Sequence, residues 1–67
     1  MQTIDLHGVK HKDVPKVIIN CCATWDTPFI AITGNSVSMK RIVRDTAQQF
    51  GLKVRDSVNN PGRVVVG

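Results

Sequence analysis

The chain has no glutamate and no tyrosine, and only three aromatic residues, Trp25, Phe29 and Phe50. So few rings disfavour a nucleic-acid reader of the kind that stacks bases on an aromatic platform. There is no run of about 18 apolar residues, so no segment reads as membrane-spanning. The N-terminus lacks the basic-then-apolar pattern of a secretory signal, because Asp5 and His7 arrive too early. Cysteine occurs only as the adjacent pair Cys21 and Cys22, which cannot form the long-range staple of a small secreted domain. The expected location is therefore the cytoplasm, with both thiols acting as small apolar residues of a helix.

What the chain does have is positive charge. Nine Lys and Arg face five Asp, for a net charge of +4. This suits a polyanionic partner such as nucleic acid, although many basic domains bind none. The 67 residues make one small domain, 1–67. A chain of this size buries only about 60% of its unfolded surface and has room for one core.

Residues 3–7 alternate, with Ile4 and Leu6 on one face and Thr3, Asp5 and His7 on the other, which predicts a half-buried strand ending at Gly8. A helix follows over about 13–25, with Asp13 as N-cap, Pro15 in the first turn, and an apolar stripe of Val14, Val17, Ile18, Cys21, Cys22 and Trp25. Asp26-Thr27-Pro28 stops it. The continuous run Phe29-Ile30-Ala31-Ile32-Thr33 predicts a central strand buried on both faces. Gly34 and Asn35 turn the chain into a second helix, about 37–50, capped by Ser36 or Ser38 and closed by Gly51, with Met39, Ile42, Val43, Thr46, Ala47 and Phe50 on its stripe. Residues 52–58 predict a third strand, Pro61-Gly62 the centre of a type II turn, and Arg63–Val66 the last strand. The order is β-α-β-α-β-β. Right-handed crossovers then give an α/β two-layer sandwich, in which a four-stranded mixed sheet carries two helices on one face and ends in an antiparallel hairpin.

In such a sheet ligands gather at the carboxyl ends of parallel strands. Two of these ends carry chemistry. At one, Thr33, Gly34, Asn35 and Ser36 precede the second helix, whose free N–H groups and dipole suit a phosphate. Lys40, Arg41 and Arg44 lie in its first two turns, where cations oppose the dipole at about 0.3–1 kcal/mol each. Three cations at the unfavourable end make sense if an anion sits among them; otherwise they are a solvated face. Lys10, Lys12 and Arg63 are candidates to extend the patch. At the other end, Asp5 and His7 project from the same strand face about 6.5–7 Å apart. An imidazole gives and takes protons near neutral pH, and a carboxylate orients it or holds a metal. The structural alternative is equally simple: Asp5 caps a loop and His7 bonds a carbonyl. His11 reads as an exposed loop residue.

Together, Ile-Asp-Leu-His-Gly before a helix, Ile-Thr-Gly-Asn-Ser opening a second helix, and Asn-Pro-Gly followed by Arg-Val-Val-Val-Gly resemble the Smr, or small MutS-related, domain in a minimal stand-alone form. The resemblance runs from about Thr3 to Val66. It implies a fold similar to the C-terminal domain of translation initiation factor three, nucleic-acid binding, and nicking or cleavage of DNA or RNA. The family's L-D-x-H signature falls on Ile4-Asp5-Leu6-His7, and so implies a catalytic role for Asp5 and His7. Its H-G-x-G or T-G-x-G signature falls on Thr33-Gly34-Asn35-Ser36, with serine replacing the second glycine. Ser36 either narrows the phosphate site or supplies a cap and a hydroxyl.

The leading expectation is an endonuclease. His7 would be general acid or base, and Gly8, Thr33, Gly34, Asn35, Ser36, Lys40, Arg41 and Arg44 would hold the backbone. Cleavage of RNA can use its own 2′-hydroxyl, whereas nicking of DNA calls on water and brings in a divalent ion such as Mg or Mn. The alternatives are a nucleic-acid-binding module without chemistry and an interaction domain for an acidic protein.

Overall fold

A computed structural model describes residues 2–67. Its strands are β1 (Thr3–Asp5), β2 (Phe29–Ile32), β3 (Val54–Ser57) and β4 (Asn60–Val66), and its helices are α1 (Val14–Thr24) and α2 (Val37–Gln48). The sheet order is β1-β2-β4-β3. β1 pairs parallel with β2, and β4 pairs antiparallel with both β2 and β3. This is a small α/β domain with a four-stranded mixed sheet and two helices, in the predicted order.

The core is built on one side of the sheet. Leu6, Phe29, Ala31, Val64 and Val66 from the sheet side join Val14, Ile18 and Cys21 of α1 and Met39, Val43 and Ala47 of α2 in one buried cluster. The side chains of alternate parity remain half-buried at Ile30, Ile32 and Val65. The expectation that residues 29–33 are buried on both faces is therefore corrected. Both helices pack against the same face, and among the described residues no second layer covers Ile30 and Ile32 on the other. Trp25 is half-buried at the rim of the core, its ring meeting Phe29 edge-on at 5.6 Å.

Several boundaries move for local reasons. β1 ends at Asp5, not residue 7, because the chain curls there. The Asp5 carboxylate accepts the His7 N–H at 2.8 Å, the Val9 N–H donates to the Leu6 carbonyl, and Gly8 takes φ +81. Asp13 precedes α1 but makes no side-chain cap; it closes a 3-10 turn, His11–Asp13, in which exposed His11 sits. α2 stops at Gln48. Leu52 N–H donates to Ala47 O and Gly51 N–H to Gln48 O, the bond pair of a Schellman motif with Gly51 (φ +71) at C′. Phe50 lies past the last turn and is 43% exposed, off the predicted stripe.

The largest correction concerns residues 57–63. The hairpin turn is Val58-Asn59, between paired Ser57 and Asn60, so β3 ends before Val58, which is 96% exposed. Pro61 and Gly62 lie within β4, and Gly62 does not have the positive φ of a type II turn. Pairing jumps from Asp56–Val64 to Ser57–Asn60, so Pro61, Gly62 and Arg63 bulge from the β3 ladder. A bulge is where a proline, having no N–H to donate, fits inside a sheet. The Asn60 side chain holds it by accepting the Gly62 N–H at 3.0 Å.

Candidate nucleic-acid interface

The parallel register sets Asp5 beside Ile32, and Leu6 N–H donates to Ile32 O at 3.0 Å. The tip of β1 and the glycine turn after β2 therefore lie side by side at one end of the sheet. The bulge of β4 completes this end. Its Gly62 carbonyl accepts N–H bonds from both Thr33 and Gly34, each at 2.9 Å. Gly62 also packs against Gly34, since a Cβ at Gly62 would lie 3.6 Å from the Gly34 Cα. Reading Pro61-Gly62 as a turn hid this support. The usable signal was a glycine beside a proline ahead of a strand, which marks a bulge as readily as a turn.

Gly34 has φ +64, and nothing lies within 4 Å of where its Cβ would be. The backbone is thus left-handed and open outward, which glycine alone adopts without strain. Thr33 turns inward instead: it is buried, and its hydroxyl donates to the Gly34 carbonyl at 3.0 Å. It shapes the loop and presents no free hydroxyl hydrogen to a ligand. Asn35 is exposed. Ser36 caps α2, its Oγ accepting the Met39 N–H at 3.1 Å. The cap leaves the Ser36 hydroxyl hydrogen free, and φ −76 at Ser36 requires no glycine.

At the β1 tip, His7 and Gly8 are exposed. The Asp5 carboxylate reaches the backbone of His7, not its ring, and among the described residues the imidazole makes no hydrogen bond. Lys10 and Lys12 continue from this tip, both exposed.

Exposed Arg63 pairs with Ile32 at this end of the sheet, whereas Lys40, Arg41 and Arg44 lie apart from the β1 tip. Val37, Lys40, Arg41 and Arg44 line a groove of about 270 Å³ together with Asp56 of β3. Their spacing of three and four puts them on one face of α2, beside the edge strand opposite β1. The Lys40 ammonium is 3.9 Å from the Asp56 carboxylate. With Asp56 67% exposed, this is a surface pair worth about 0–1 kcal/mol, which leaves the groove net positive. The candidate residues thus lie along one end of the sheet as two charged clusters, with the uncharged Gly34-Asn35 turn and the single cation Arg63 between them. A larger hollow of about 500 Å³, lined by Gln2, Asp26, Thr27 and Pro28, sits at the opposite end of the sheet and carries no cation among these residues.

Among the described residues no three His, Cys, Asp or Glu side chains cluster as ligands, and Asp5 already spends one oxygen on the turn. No described helix is long and apolar enough to cross a membrane. Compared with family models, curated proteins and solved structures, the chain matches none.

Proposed function

We propose that the chain is an Smr-like domain, folded like the C-terminal domain of translation initiation factor three, that binds nucleic acid along this end of the sheet and cuts a phosphodiester there. The observation that carries the reading is the parallel β1–β2 pairing, which turns Asp5-Leu6-His7-Gly8 and Thr33-Gly34-Asn35-Ser36 to the same end. Both cysteines are free, which suits the reducing cytoplasm.

RNA asks least of these residues. The His7 imidazole takes the proton of the 2′-hydroxyl, and the 2′-oxygen bonds to phosphorus. The bond from phosphorus to the 5′-oxygen breaks, and that oxygen takes a proton from water. The products are a 2′,3′-cyclic phosphate and a 5′-hydroxyl. Asp5 holds the turn that presents His7, and the groove cations hold neighbouring phosphates.

The test is purified wild type beside His7→Ala on labelled structured RNA and on nicked or branched DNA. Because His7 is exposed, the variant keeps its melting temperature. Cleavage falls by about 10²-fold or more, the usual contribution of a positioned acid or base. Equal cleavage by both proteins removes His7 from the chemistry. The second reading is a binding module without chemistry, favoured by the lack of a second proton-transfer partner on the His7 ring. Binding without product, with or without Mg or Mn, decides for it.

A further inference from the structure

The sheet order separates the two charged ends of the candidate interface. His7, Lys10 and Lys12 follow β1, at one edge of the sheet. Lys40, Arg41 and Arg44 stand beside Asp56 of β3, at the other edge. Three strand spacings of about 4.8 Å lie between these edges, at least about 14 Å in all. The stretch between them is the open backbone of Gly34, exposed Asn35 and the bulge of β4, whose exposed Arg63, paired with Ile32, is a single cation between the two clusters. Val37, 73% exposed, begins the far groove and offers an apolar contact beside its cations.

We infer that this end of the sheet is a two-ended track for a nucleic-acid strand, gripping phosphates at both ends and passing the backbone over the Gly34 saddle. The inference rests on the phosphodiester reading above and adds a length requirement to it. A stacked strand advances about 3.4 Å per phosphate, so the span corresponds to about four nucleotides. A mononucleotide or dinucleotide reaches one end only. The preferred ligand is an oligonucleotide, and a bond presented to His7 lies about four nucleotides from the phosphate held between Lys40 and Arg44.

The probe is a series of 2′-O-methyl oligouridylates of two, four, six, eight and twelve nucleotides, which lack the 2′-hydroxyl nucleophile and so bind without being cut. Affinity is expected to step up by about tenfold or more between the dinucleotide and the six-nucleotide strand, because the second end then binds intramolecularly. Beyond that length it rises only slowly. Arg41→Ala with Arg44→Ala is expected to remove the step while leaving the weak dinucleotide binding at the β1 end. A dinucleotide that binds as well as the twelve-nucleotide strand overturns the track and leaves the phosphodiester reading standing. A step that survives in the double variant also overturns it, since the far groove is then not the second grip. Failure of every length, single-stranded or annealed to its complement, overturns the phosphodiester reading itself.

Discussion

At the scale of single residues, the Asp5 carboxylate closes the β1 turn, and its proposed part in cleavage is separable from that by substitution. Its Oδ1 accepts the His7 N–H and so closes the turn at the end of β1. Asn keeps a carbonyl oxygen at that position and Ala does not. Asp5→Asn is expected to unfold in urea within about 0.5 kcal/mol of wild type, and Asp5→Ala to lose about 0.5–1.5 kcal/mol, the usual net worth of one hydrogen bond. Equal losses in both would show that the turn does not depend on that acceptor. If the negative charge also serves cleavage, Asp5→Asn slows the reaction while staying folded. Ser36 separates in the same way. As the α2 cap it is worth about 0.5–2 kcal/mol against Ala but only a few tenths against Gly. Ser36→Gly, which restores the glycine of the resembled signature, is therefore expected to be nearly neutral in urea and Ser36→Ala clearly destabilised. The reverse order would mean that the hydroxyl is not the cap.

At the scale of elements, α1 carries a pH dependence. Burial pushes the Cys21 thiol above its ordinary value of 9.0, with Cys22 beside it adding to the shift, and burial raises Cys22 as well. Well below pH 9 both thiols are neutral whether the chain is folded or not, and their contribution is complete. As pH rises past the ordinary value, the unfolded chain ionises first and the folded state loses stability. The urea midpoint is expected to be flat with respect to these groups from pH 7 to 8.5 and to fall towards pH 10, with the fall reduced in Cys21→Ala, Cys22→Ala. An unchanged fall in that variant assigns it to other groups. The elements themselves were legible to the extent that their signals were local. The helix stripes, the Gly51 stop and the parallel first pair follow from periodicity, a left-handed cap and crossover handedness. The β4 bulge was not legible, because Asn-Pro-Gly satisfies a turn rule and a bulge rule alike, and only the pairing of Ser57 with Asn60 decides between them. The face of α2 that carries Lys40, Arg41 and Arg44 was readable from spacing, but its neighbour Asp56 depends on β3 taking the far edge, a tertiary fact.

At the scale of the whole molecule, the buried core and the proposed phosphate groove occupy different parts of the structure, which makes stability and binding separable by substitution. The buried cluster draws on the helix face of the sheet and the inward stripes of α1 and α2, whereas Arg41 and Arg44 are exposed. Removing their charges leaves the core intact, so Arg41→Ala with Arg44→Ala should melt within a few degrees of wild type. Binding should respond quite differently. Each phosphate neutralised on a single strand contributes about −0.7 to the slope of log affinity against log salt. Two lost contacts should therefore flatten the slope by about 1.4, measured by fluorescence anisotropy with an eight-nucleotide strand between low and physiological salt. A general electrostatic attraction from the +4 chain would lose affinity without this stoichiometric change, because removing two of nine Lys and Arg only lowers the overall field. An unchanged slope in a folded variant would therefore place the phosphate contacts elsewhere on the surface, whereas a slope reduced by two contacts at an unchanged melting temperature locates them in the groove between α2 and β3.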